Sequence, residues 1–175
     1  MVIPRASSRG LRVRVVATAL LGGVVLAGCG SSASGAPAPA ATPNVDTAAV
    51  LAAYGKFFAG QAAISAAPAA QRKTLLAPFT TDPELTQLAG SMEQAQAGGM
   101  VSYGAPVVHP KVTKGSGDTA TVADCQDASG TGLKKVSGGK IATSGEAHDS
   151  VSTTMIRGAD GQWRVSDVEY QTAPC

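Results

Sequence analysis

Residues 147–170 read Ala-His-Asp-Ser-Val-Ser-Thr-Thr-Met-Ile-Arg-Gly-Ala-Asp-Gly-Gln-Trp-Arg-Val-Ser-Asp-Val-Glu-Tyr. Two β-rich runs, 147–157 and 163–170, flank Asp160-Gly161, a dipeptide suited to the tight turn of a hairpin. Upstream, Thr119–Gln126 alternates. Ala120, Val122 and Asp124 face one way; Thr121, Ala123 and Cys125 face the other. Gly115-Ser116-Gly117-Asp118 supplies the turn before it. Residues 101–112 are also β-rich, but Gly104, Pro106 and Pro110 confine them to an edge or a bulge. Residues 128–145 form a long Gly/Ser/Thr/Lys stretch with Leu133, Val136 and Ile141 as its apolar anchors.

Before Gly99 the period is helical. Val50, Tyr54, Phe57, Gln61 and Ile64 step by four and three along one face, with Leu51 and Phe58 beside them. Asp46 or Thr47 caps this helix. Gly55 and Gly60 weaken it, and are expected where it closely approaches other backbone. Pro68 interrupts, and a short segment carrying Leu75 and Leu76 follows. Thr81-Asp82-Pro83-Glu84 has the spacing of a capping box. Leu85, Leu88, Met92 and Ala95 continue at helical spacing until Gly98-Gly99 stops the helix. Three helices followed by about four antiparallel strands make the chain α+β.

The 175 residues suit one domain. Hydrophobic residues make up 44%, aromatic residues 4% and charged residues 15%; 32 Ala and 21 Gly supply much of the apolar content. Such low charge excludes an acidic solvating tail, a coiled coil and a supercharged nucleic-acid binder.

The first 28 residues read as an address. Arg5, Arg9, Arg12 and Arg14 precede a short apolar run from Val15 to Leu26. A basic start before a short apolar stretch is a secretory signal, too short for a comfortable membrane span. It ends in Leu26-Ala27-Gly28-Cys29, which resembles the bacterial lipobox. The resemblance implies that Cys29 is acylated and becomes the first residue of the mature protein, held stably on the extracytoplasmic face of the cell membrane. Of fourteen basic residues four lie in the signal; the remaining ten stand against twelve acidic ones, a net charge of −2. No basic patch remains to favour nucleic acid. Residues 29–45, rich in Ser, Ala and Pro, have nothing large to bury and read as a linker. About fifteen such residues hold a domain at most roughly 50 Å from the bilayer. The domain itself is 46–175.

Cys125 and Cys175 form an even pair in an exported domain, which argues for a disulfide. His109, His148 and the carboxylates are the catalytic inventory. His148 with Asp124 makes a base and an orienter if both point inward; otherwise both histidines are surface residues. No metal-binding spacing, Gly-x-Ser-x-Gly elbow or calcium loop is present, so no cofactor or metal is expected. Gly138-Gly139-Lys140 lacks both the upstream glycine and the Ser/Thr of a phosphate loop. Lys134, Lys135 and Lys140 make that Gly-rich loop locally basic; it reads as a solvated loop, or alternatively as one that leans on anionic headgroups. Tyr54, Phe57, Phe58 and Trp163, with His148, are the candidate pocket residues; the aromatic four equally suit a core.

Residues 160–165 and 117–127 resemble the closing hairpin and second strand of nuclear-transport-factor-2-like, cystatin-like domains of small actinobacterial lipoproteins. That resemblance implies a cone of three helices on a curved antiparallel sheet. In different members the cone holds an active site, a ligand or only side chains, so the fold leaves function open. The expected function is a non-enzymatic interaction or accessory module for an envelope protein. The alternatives are a binder of a small apolar ligand and an enzyme of the dehydratase, isomerase or hydrolase type. Replacing Cys29 with serine is expected to release the protein from the membrane fraction; fractionation and immunoblotting check this, and a variant that stays attached refutes the anchor.

Overall fold

Asp46 starts the first helix, α1 (Thr47–Ser65), by accepting the Ala49 amide on its carboxylate at 3.0 Å. This satisfies one of the donors that a helix start leaves free. The computed structural model describes residues 44–175. The signal segment, Cys29 and the linker to residue 43 lie outside the described residues. Asn44 already pairs with Ser116, and Val45 packs on the core, so the fold begins inside the expected linker.

Two more helices follow, α2 (Ala69–Leu76) and α3 (Glu84–Ala97). Seven strands come next: β1 (Met100–Tyr103), β2 (Lys111–Ser116), β3 (Thr119–Gln126), β4 (Gly132–Lys135), β5 (Ile141–Ser144), β6 (Asp149–Arg157) and β7 (Trp163–Tyr170). The class is α+β, as the change of period implied. The strands form two antiparallel sheets, ordered β2-β3-β6-β7 and β1-β4-β5, where one sheet of about four strands was expected.

The second sheet corrects the reading of 128–145 as an irregular stretch. Its glycines looked like loop residues but permit close backbone approach. A side chain on Gly132 would overlap the Thr143 carbonyl, and one on Gly104 the Gly130 carbonyl. Val136 and Ile141, read as anchors, are instead 61% and 57% exposed. The β-rich run 101–112 is divided, its start joining β1 and its end β2.

Alternation along β3 buries Ala120, Val122, Asp124 and Gln126. They face α1, whose Val50, Tyr54, Phe57 and Phe58 meet Val122, Val151, Met155, Trp163 and Val165 in the main core. A smaller cluster, Ile64, Leu76, Ala89 and Met92, joins the three helices at the other end. Gly55 has nothing near its missing side chain, and Gly60 meets only Ile64; neither marks the close approach that was expected.

The capping box at Thr81 does not form. Pro83 occupies the cap position with no side-chain bond, because residues 79–81 are drawn onto β7. Thr81 donates its amide to the Val165 carbonyl at 2.9 Å, the Val165 amide returns a bond to Phe79, and the Thr80 hydroxyl donates to the Val165 carbonyl at 2.7 Å. This segment covers an edge strand that would otherwise offer free backbone. Glu84 is left half-buried, and burial, helped by the charge of Asp167, raises its carboxyl above the usual carboxylate range.

Arg72 is buried among the helices, and among the described residues no carboxylate pairs with it. Its Nη2 donates to the Ser65 and Ala67 carbonyls at 3.2 and 2.9 Å and to Gln96 Oε1 at 2.6 Å. The cation thereby sits at the negative end of α1. Its Nε and Nη1 find no acceptor among the described residues.

Cys125 and Cys175 come together as a disulfide-compatible pair with Cα atoms 5.8 Å apart. They hold the tail against β3, where the Cys175 amide also donates to the His148 carbonyl. The bridge closes a long loop, so it stabilises chiefly by restricting the unfolded chain. Cys175→Ser is expected to cost about 2–4 kcal/mol, read as a lower urea midpoint. Reduced wild type should fall to nearly the same midpoint; a variant as stable as oxidised wild type refutes the bridge.

Candidate functional site

A carboxylate inside an apolar core must have its lone pairs occupied. Asp124, 6% exposed, meets that demand with two donors from outside its own strand. Its Oδ2 accepts the Tyr54 hydroxyl of α1 at 2.8 Å, and its Oδ1 accepts the backbone amide of His109 at 2.6 Å. The Tyr54 oxygen in turn accepts from Gln126 Nε2 at 2.8 Å. Tyr54 and Gln126 are fully buried. Burial first, then the hydrogen bond to Asp124 and its charge, push the Tyr54 phenol far above the ordinary tyrosine range, against a smaller opposing effect of Gln126. The phenol therefore stays protonated and donating. Chemically this is a lock between α1 and β3, with its proton held between two fixed oxygens.

The expected partnership of His148 with Asp124 is not formed: both Asp124 oxygens are taken by other donors. His148 is exposed, with backbone φ of 65° just before β6. The ring of His109 is also exposed, and its Nδ1 lies 3.1 Å from the Cys125 carbonyl, which can only accept. Alternation put Asp124 on the face of Ala120 and Val122, and that face is the buried one. Gln126, two residues further along the same face, was missed although the same period points to it. Tyr54 was noted as apolar lining, and its hydroxyl bond to a residue 70 positions away had no local signal.

Tyr54, Phe57, Phe58 and Trp163 belong to one core cluster. The rings of Tyr54 and Phe58 lie 4.8 Å apart, and those of Phe57 and Phe58 meet edge to face at 4.9 Å. Open space lies outside that cluster. One cleft of about 300 Å³ runs between α1, β1 and the ends of β6 and β7, with Phe58, Gln61, Tyr103, Gln126, Asp149 and Tyr170 on its walls. Trp163 edges two further surface clefts on the other side. Among the described residues no three His, Cys, Asp or Glu side chains converge as a metal site would need, and no helix is long and apolar enough to cross a membrane.

No protein-family model matches the chain, and no curated protein sequence matches it.

Tyr54→Phe is expected to cost about 1–3 kcal/mol, because Asp124 and Gln126 lose a buried partner. The pH dependence follows from the raised phenol pKa. The unfolded tyrosine ionises near 10 while the folded one does not, so this stabilisation is complete below about pH 10 and is lost as pH rises beyond it. Denaturation series at pH 8 and pH 11 should show a steeper loss for wild type than for Tyr54→Phe; parallel losses contradict the lock.

Proposed function

We propose that this chain is a lipid-anchored, extracytoplasmic domain of the bacterial cell envelope, acting as an interaction or accessory module on a nuclear-transport-factor-2-like, cystatin-like scaffold. Its outer surface does the work. The observation that carries this reading is the filled interior: Tyr54, Phe58, Val122, Met155 and Trp163 occupy the space between α1 and the four-stranded sheet. The signal and Leu26-Ala27-Gly28-Cys29 support the location, and the Cys125–Cys175 pair independently suits an oxidising compartment. The scaffold assignment rests on the order of elements and on α1 lying across the sheet.

The open cleft beside Phe58, Tyr103 and Tyr170 favours a second reading, a binder of a small molecule. Its volume is at the lower end of the usual ligand-site range. Native mass spectrometry of protein gently extracted from its own membrane separates the two. The module reading expects a domain whose only added mass is the lipid on Cys29, co-isolating with an envelope protein. A stoichiometric small adduct on the folded domain, lost on Tyr103→Ala, overturns it in favour of the binder.

A further inference from the structure

The β4–β5 hairpin ends in a tip whose composition differs from the rest of the domain. Every residue from Lys135 to Ser144 is exposed. Lys134, Lys135 and Lys140 lie within seven positions, and 132–144 contains no acidic residue. Two aliphatic side chains stand out beside these cations, Val136 at 61% and Ile141 at 57% exposure. Lys134 is the cross-strand partner of Ile141, so cation and apolar group share one place on the hairpin. Gly138 and Gly139, with φ of 77° and 66°, turn the chain tightly and add no side chains at its end. The tip is also braced: Lys135 donates its amide to the Lys140 carbonyl at 2.8 Å, and Val136 donates to the Gly99 carbonyl at 2.9 Å.

We propose that this tip is a second membrane contact, placing Val136 and Ile141 at the headgroup boundary of an anionic phospholipid bilayer while the three lysines meet the phosphates. The charge balance selects that occupant. The chain after Cys29 carries a net −2, yet Val136 and Ile141, both more than half exposed, are set among lysines. Apolar groups flanked by lysine suit a surface that is negative outside and apolar beneath. The inference rests on the lipid-anchored reading, because a linker of that length keeps the domain within reach of the bilayer, where weak contacts suffice. Two-point attachment fixes which faces of the domain point away from the membrane.

The test uses the full acylated protein in vesicles of phosphatidylcholine, with or without phosphatidylglycerol. An environment-sensitive fluorophore is attached through Ser137→Cys at the tip, and in a separate sample through Thr74→Cys on α2. The tip label should brighten at least twofold and shift to the blue in phosphatidylglycerol vesicles only, while the α2 label does not change. Lys134→Gln, Lys135→Gln and Lys140→Gln together should abolish the change without altering the thermal midpoint, and high salt should weaken it. A tip label that reports water in phosphatidylglycerol vesicles overturns the proposal, as does a change that survives removal of the lysines. Flotation with phosphatidylcholine vesicles reports the Cys29 anchor separately, so the two readings fail independently.

Discussion

The buried carboxylate of Asp124 is the constraint around which the domain is arranged. A charge in that setting is tolerable only when hydrogen bonds replace its water. The two donors come from outside β3, the Tyr54 hydroxyl and the His109 amide, and Gln126 on the same strand donates in turn to the Tyr54 oxygen. Sliding α1 by one turn along the sheet, or moving residues 107–109 off β3, would leave an unpaired charge in the core. Apolar packing of Val50, Phe57 and Phe58 supplies much of the driving force but little direction. The polar lock supplies direction, which suits a chain as rich in alanine as this one.

A second polar device works at the other end. Arg72 gathers the Ser65 carbonyl that ends α1, the Ala67 carbonyl just beyond it and the side chain of Gln96, joining all three helices around one guanidinium. Ser65 carries the linkage onward by accepting the Ser102 amide of β1 at 2.9 Å. The smaller sheet is thereby tied to the helices, with β4 and β5 pairing outward from β1 and the hairpin tip exposed. At the turn between β6 and β7, Arg164 bonds Asp160 and reaches the Ala77 carbonyl, so the closing hairpin is fastened to the end of α2. Polar contacts thus join elements that short apolar side chains alone would locate poorly.

Much of the fold was legible because its signals are local. The helical spacing of Val50, Tyr54, Phe57 and Ile64 needs only one helix face, and the alternation in Thr119–Gln126 needs only one strand. The Asp160-Gly161 turn and the Gly98-Gly99 stop are equally local. The second sheet was illegible because glycine has two meanings. In 128–145 it resembled loop punctuation, whereas at Gly132 it makes room for the carbonyl of a facing strand. Thr81 misled in a similar way: its capping pattern was sound, but β7 claimed its backbone first.

The sequence by itself determined the class, the places where period changes, the cysteine pair and the strand face that Asp124 shares with Ala120 and Val122. These follow from neighbours within a few residues, or from the shortage of cysteine partners. Only the tertiary structure decided what Asp124 bonds, that His148 stands apart from it, that the aromatic residues fill the core, and that 128–145 folds into the hairpin of a second sheet. Each of those depends on contacts between residues far apart in the chain. Their geometry is set by the joint packing of helix and sheets, which no local window of sequence encodes.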